Sequence, residues 1–288
     1  MKVVRSPAEL TVEPRAAAIG TFDGVHLGHR RVLDALLAAG GRPTVITFDP
    51  HPRTALGNRV ELLTTLERRL ELLADVGVED VLVVEFDLDF ARLEPEAFAE
   101  SHLRATGVDT VVAGSAFRFG HKRRGDLDLL RRLGFDVRPV PLVESISSSA
   151  IRGLLRAGEV ERAAQALGRP PELDGVVVEG DARGGTLGFP TANIRVPADL
   201  LVPAFGIYAG AAFGQRAAIS VGVNPHYGGN ELRVEAFLLD FEGDLYGRRL
   251  FLELWRRLRD ERAFASEQAL VDQIAHDVAE TRDAERPI

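Results

Sequence analysis

Five short apolar runs separated by helix-patterned stretches fill residues 14–140, and no other feature limits the fold so strongly. The runs cover residues 16–20, 43–48, 80–86, 110–114 and 135–140, each of strand length. In the stretch after the first, Val32, Leu33, Leu36 and Leu37 share one helical face, and Arg30, Arg31 and Asp34 point away. Alternation of this kind predicts βαβ units in a parallel, doubly wound, Rossmann-like α/β sheet. Such sheets bind ligands beyond the carboxyl ends of their strands.

From about Ser147 the pattern changes. Residues 151–155 and 160–167 read as short helices closing the first half, and Gly168-Arg169-Pro170-Pro171 reads as a linker, because paired prolines stop a helix. Beyond it, runs at 176–180, 206–213, 217–223, 233–240 and 249–258 follow one another without helices, which predicts a small antiparallel β-barrel. Ser266 is placed to cap a final helix through Arg282 whose buried face would be Leu270, Ile274 and Val278. Two domains are therefore expected, 1–170 and 174–288, and 288 residues suffice for two cores.

Composition removes some function classes. The chain has no cysteine, which excludes disulfides, thiolate metal sites and a cysteine nucleophile. That fits a reducing, cytoplasmic setting, although exported proteins can share it. No apolar run nears the roughly 20 residues that cross a bilayer, and the first residues carry no signal-like stretch. A net charge of −8 argues against nucleic acid as the main partner.

Gly20-Thr21-Phe22-Asp23-Gly24-Val25-His26-Leu27-Gly28-His29 stands where the first strand meets the first helix. A helix N-terminus with free backbone N–H groups attracts phosphate there. Gly20 and Gly24 permit a tight turn, and Gly28 permits close approach of the helix to a ligand. His26 and His29 would then flank an anion and stabilise charge developing on an α-phosphate. Two other readings stand beside this one: surface histidines next to an ordinary turn, or a metal pair, for which no further ligand cluster is at hand.

A second glycine-rich segment, residues 184–193, follows the first strand of the second half. Its glycines admit phosphate, and Pro190 stiffens the chain so that Thr191 and Asn193 can offer oxygens to a hard cation. A plain turn into a strand is the alternative. Glu235 interrupts an apolar strand, where an unpaired charge is costly to bury. Either it points outward on an alternating strand or it is present for chemistry.

These blocks together are similar to the prokaryotic bifunctional riboflavin kinase/FAD synthetase family. Residues 20–29 resemble its longer HxGH nucleotidyltransferase motif, Gly-x-Phe-Asp-Gly-Val-His-x-Gly-His. Phe48-Asp49-Pro50-His51-Pro52, the segment 114–120 with Phe117, and Ile146-Ser147-Ser148-Ser149-Ala150-Ile151-Arg152 agree in order. So do Pro190-Thr191-Ala192-Asn193, Gly222-Val223-Asn224-Pro225, Val234-Glu235, Asp240-Phe241, Leu245-Tyr246-Gly247, and Arg259 with Phe264. The resemblance implies two ATP-dependent reactions, riboflavin to FMN in the barrel and FMN to FAD in the first domain.

It implies His26, His29 and Glu235 as catalytic residues, with Glu235 the base that deprotonates the ribityl hydroxyl. ATP would be held by Gly20, Phe22, Asp23, Gly24, Gly28, Ser147, Ser148 and Arg152 in one site, and by Gly184, Gly188, Thr191 and Asn193 in the other. Thr191 and Asn193 would also hold Mg²⁺, while Asp49, His51, Phe117, Asn224 and Arg259 would face flavin. The implied partners are riboflavin, FMN and ATP with Mg²⁺, with no resident cofactor, no nucleic acid and no membrane. The chain departs from the family pattern at Ala116, Ser149, Gly185, His226 and Tyr227. Two rivals remain: an adenylyltransferase for another phosphate ester carrying a degenerate barrel, and a flavin-binding protein without catalysis.

Overall fold

The structure, a computed structural model, describes residues 1–180, 189–223 and 232–288. Two compact units divide the chain, Met1–Glu61 with Leu66–Ile146 and Leu62–Thr65 with Ser147–Ile288.

The first unit holds a six-stranded, all-parallel sheet made of β1 (Lys2–Val4), β2 (Arg15–Ile19), β3 (Arg42–Asp49), β4 (Asp80–Glu85), β5 (Val108–Gly114) and β6 (Asp136–Val140), in the order β1-β4-β3-β2-β5-β6. Both faces of β2 are covered, so all five residues are buried and its run is continuously apolar after Arg15. Its side chains alternate between two apolar clusters, Ala16 and Ala18 in one, Ala17 and Ile19 in the other. The chain leaves β2 first toward β3 and later crosses to β5, so the strand order reverses at the carboxyl end of β2. That is where an open α/β sheet leaves a crevice. The helices that bear on the site are α1 (Leu27–Leu37), α2 (Pro52–Ala55) and α3 (Leu66–Val76), with α4 (Pro95–Phe98) and α5 (Leu127–Arg132) following.

The second unit begins with α6 (Ser148–Arg156) and α7 (Val160–Leu167). A closed barrel follows, built from β7 (Glu172–Val178), β8 (Ala192–Arg195), β9 (Gly206–Ala212), β10 (Gln215–Val223), β11 (Leu232–Leu238) and β12 (Arg249–Arg259) in the order β10-β11-β8-β7-β12-β9. All its pairings are antiparallel. The last helix, α8 (Glu267–Asp283), packs on β9 and β10, with Ser266 capping it through the Ala269 N–H at 3.2 Å.

Three details differ from the sequence pattern. β1 and β8 are strands of three and four residues, too short to show a period of two. β7 starts at Glu172, directly after the paired prolines. The compact-unit division also falls at Ile146/Ser147 rather than near residues 170–174, because Ile151, Leu155, Val160, Ala163 and Leu167 share an apolar cluster with barrel residues such as Ile219 and Leu250.

Candidate active sites

The turn between β2 and α1 is made of strained backbone. Phe22, Gly24 and Val25 have φ of 48°, 82° and 37°. Left-handed backbone is routine for glycine and costly for phenylalanine or a β-branched valine, so surrounding contacts must hold it. His26 supplies one such contact as the N-cap of α1, its Nδ1 accepting from the His29 N–H at 3.2 Å. An accepting Nδ1 carries no proton, which assigns the ring proton of neutral His26 to Nε2. A Cβ on Gly28 would stand 3.1 Å from His26 Cε1 and Nδ1, so glycine there lets the ring lie against the first turn. Gly20 donates its N–H to Ile46 O at 3.1 Å, fixing the start of the turn to β3.

His26 and His29 stack, with ring centroids 3.6 Å apart and planes 16° from parallel. Two such rings cannot both carry charge cheaply. Burial, then the charges of His26 and Arg69, hold the His29 pKa well below the ordinary 6.5, so the ring is neutral near pH 7. Its Nδ1 is buried without a hydrogen-bond partner among the described residues. An arriving phosphate would reverse the balance by favouring the protonated ring. Phe22 is buried in the core and meets His29 at 5.2 Å, so its side chain supports the histidine. Asp23 is fully buried.

The expected flavin-facing residues of this unit lie after β3 and β5. Asp49 ends β3 with Arg5 at 3.6 Å, and His51 caps α2, its Nδ1 accepting from the Arg53 N–H at 3.1 Å. Phe117 is half-buried and stacks on Phe119 at 5.6 Å. Phe98 and Phe90 extend this aromatic run to Phe48 at the end of β3. Ser147, Ser148 and Arg152 fall in the second unit: Ser147 caps α6 through the Ala150 N–H at 3.1 Å, and Arg152 is buried.

In the barrel, β11 alternates cleanly. Val234, Ala236 and Leu238 are buried, while Arg233, Glu235 and Phe237 face a cavity of about 350 Å³. Glu235 therefore points away from the apolar core, as an alternating strand allows, yet into a cleft. Its Oε1 accepts from Arg233 Nη2 at 2.6 Å. Across the ladder it stands opposite Asn193 of β8 on one side and Ser220 of β10 on the other. Thr191 and Ser220 line the same cavity, and Phe189 meets Phe237 edge-on at 5.4 Å on its wall. A small organic molecule needs this combination of apolar walls and few convergent polar groups. Gly184, Gly188 and Asn224 lie outside the described residues.

Arg259 ends β12 and is held by both carboxylate oxygens of Asp277 at 2.7–3.1 Å, with its guanidinium 5.7 Å over Phe264. Asp277 is a residue the sequence pattern does not reveal as important. It continues the stripe of Leu270 and Ile274 along α8, and it and Thr281 are the buried positions of that helix, whereas Leu270 and Ile274 line the cavity. Glu261 is another addition: it lines the cavity, and burial pushes its carboxyl pKa up against the opposing pull of Arg259. Arg69 is a third. Buried Arg69, Leu72, Leu73 and Val76 form one stripe of α3, and a cation standing in such a stripe is the signal that marks it.

The oxygens of Thr191 and Asn193 suit a hard divalent cation, which takes oxygen ligands and keeps waters and phosphate oxygens for the remainder. A Cβ on Gly180 would stand 2.0 Å from Asn193 Nδ2, so the backbone closes on that amide and fixes it. The donor set fits Mg²⁺ held together with a nucleotide. Among the described residues no group of three or more His, Cys, Asp or Glu could hold a metal alone, and no helix is long and apolar enough to cross a membrane.

Comparison with known proteins assigns a likeness to each half. A family model described as FAD synthetase matches residues 9–151, and one described as riboflavin kinase matches residues 167–284. A bifunctional riboflavin kinase/FMN adenylyltransferase of Listeria monocytogenes is 37% identical, with the match covering 93% of this chain and 91% of that protein. The protein of the same name from Escherichia coli K12 is 35% identical over 98% and 97% of the two chains. A crystal structure from Streptococcus pneumoniae, named a macrolide-efflux protein, superposes with a TM-score of 0.89 at 31% identity, over 98% of this chain and 99% of that one.

Proposed function

The chain belongs to the bifunctional riboflavin kinase/FMN adenylyltransferase family, and from that premise we propose how its residues carry the two reactions. It phosphorylates riboflavin to FMN and adenylylates FMN to FAD, with ATP as co-substrate of both steps. We assign adenylyl transfer to residues 1–170 and phosphoryl transfer to residues 174–288. With ATP consumed in both steps, the cytosol is the compartment we assign.

In the barrel, the ribityl 5′-hydroxyl attacks the γ-phosphorus of ATP and its proton passes to Glu235, giving FMN and ADP. The observation that carries this reading is the position of Glu235, which faces the cavity beside Thr191 and opposite Asn193 in the ladder. Arg233 pairs with Oε1 of Glu235 at 2.6 Å, and Oε2 is the oxygen we assign to take the proton. Mg²⁺ bound with ATP offsets phosphate charge, and Thr191 and Asn193 are the residues we assign to hold it. Gly184 and Gly188 are assigned to ATP, Asn224 and Arg259 to flavin.

In the first unit, an oxygen of the FMN phosphate attacks the α-phosphorus of a second ATP, releasing pyrophosphate. His26 and His29 are assigned to the charge that develops there. Gly20, Phe22, Asp23, Gly24 and Gly28 are assigned to shaping the turn around the nucleotide; Ser147, Ser148 and Arg152, at the start of the second unit, are assigned to ATP phosphates on the family resemblance of residues 146–152. Asp49, His51 and Phe117 are assigned to flavin. For both reactions the protein's own contribution is positioning and electrostatics.

The test is Glu235→Gln, incubated with riboflavin, Mg²⁺ and ATP while riboflavin, FMN and FAD are resolved by chromatography. FMN formation is expected to fall ~10²–10⁴-fold, with supplied FMN adenylylated at the wild-type rate. Near wild-type kinase turnover would remove Glu235 from its role as base.

A further inference from the structure

Arg69 is buried to 2% exposure on a helix face that otherwise packs apolar side chains. A guanidinium cannot shed its charge, and burying it costs several kcal/mol unless hydrogen bonds compensate. Its Nη1 donates to three acceptors, Thr21 O at 3.0 Å, Thr47 Oγ1 at 3.1 Å and Phe48 O at 3.1 Å. The Thr47 hydroxyl in turn donates to Thr21 O at 3.2 Å. None of these acceptors is a carboxylate. Asp23 and Asp49 favour the charge through space, and burial opposes it more strongly, lowering the Arg69 pKa. Nε has no partner among the described residues.

The identity of the acceptors is informative. Thr21 opens the strained turn, one residue before Phe22 at φ 48°. Phe48 and Thr47 end β3 just ahead of Asp49. β2 and β3 are parallel neighbours, and their carboxyl ends flank the crevice where the strand order reverses. A left-handed, non-glycine turn persists only where its surroundings over-determine it, and this cation ties the turn to the neighbouring strand end.

We propose that Arg69 is a positioning residue for adenylyl transfer, holding the β2–α1 turn against the end of β3 through the carbonyls of Thr21 and Phe48. The proposal rests on reading the His26/His29 turn as the nucleotide site. It acts through backbone and needs no contact with substrate. Its charge also reaches His29, with that of His26, while Asp23 and Asp49 act on the guanidinium through space.

The test compares Arg69→Met, Arg69→Lys, Thr47→Val and His29→Ala in the full-length chain, measuring both reactions on the same preparations. A displacement near 1 Å costs on the order of a hundredfold in rate, so Arg69→Met is expected to lower kcat of adenylylation by about 30-fold or more. Arg69→Lys, which keeps three donors on a shorter side chain, is expected to lose less than the methionine variant, and FMN formation should be unchanged in every variant. Thr47→Val keeps shape and burial, and covers the case in which the methionine variant does not fold. It removes only the shared hydroxyl and should cost about fivefold in adenylylation.

Wild-type adenylylation in folded Arg69→Met, or in Thr47→Val where methionine fails to fold, overturns the proposal. So does equal loss in the lysine and methionine variants with matching falls in thermal midpoint, which would mean packing alone. If His29→Ala keeps adenylylation, the reading of the turn itself fails instead.

Discussion

The first unit frames its candidate site with backbone, whereas the barrel frames its candidate site with side chains. In the first, strained φ angles, a histidine cap and a buried arginine shape a turn at a helix N-terminus. In the second, Asn193, Glu235 and Ser220 meet because strand register sets them opposite one another, and the final helix adds a wall. Each is vulnerable in a different place. A turn fails when a supporting contact or a missing Cβ is altered, even with every reactive group in place. A register site tolerates changes around it and fails at the reactive side chain itself.

Separating the units has the largest expected effect. A fragment beginning at Ser147 keeps α6 and α7, whereas one beginning at Glu172 loses the buried Ile151, Leu155, Val160, Ala163 and Leu167 from the barrel's apolar cluster. Each lost Val, Leu or Ile is worth about 1.5–3 kcal/mol of burial, against a whole-domain stability on the order of 5–15 kcal/mol. The longer fragment is expected to be soluble, to melt cooperatively and to make FMN, while the shorter is expected to be largely unfolded. Circular dichroism melts with a kinase assay decide this, and equal stability of the two would return the boundary to the linker.

A smaller effect tests the division of labour. His29→Ala is expected to lower FAD formation from FMN by ~10²–10³-fold and leave FMN formation from riboflavin intact. Equal loss of both activities in folded protein would show that the two sites are not independent.

The smallest expected effect concerns acid. In the folded chain His29 is held unprotonated, while in the unfolded chain it takes a proton near 6.5. Between the lowered value and 6.5 the unfolded state binds more protons, so stability falls as pH drops through that window. Replacing His29 by alanine removes this contribution. The loss of thermal midpoint between pH 7.5 and 5.5 should then be smaller in the variant by about 2 °C. An identical loss would mean that the ring titrates alike in both states.

Much of this was legible in the residues because local chemistry and fold agreed. The continuous apolar run of β2, the glycines after it and the cap at Ser266 all act over short range, and each is where its pattern predicts. What stayed hidden depends on distant partners. Arg69 and Asp277 look like ordinary helix charges in the sequence until the fold shows each of them to be buried. The grouping of α6 and α7 with the barrel follows from an apolar face shared with residues as distant in sequence as Leu250, and α7 packs on β12, which no local period encodes.

Closure of the barrel has a further consequence, for association between chains. A strand at the rim of a sheet offers unpaired amides to any other extended chain it meets, and a closed barrel has no such rim. The parallel sheet has two, β1 and β6. One is only three residues long and begins with Lys2, and the other carries Asp136, Arg138 and Pro139 in a five-residue strand. Proline removes a donor from that ladder and the charges discourage stacking. Replacing Pro139 by valine would add a backbone donor to β6, and strand pairing between chains at high concentration is expected to rise.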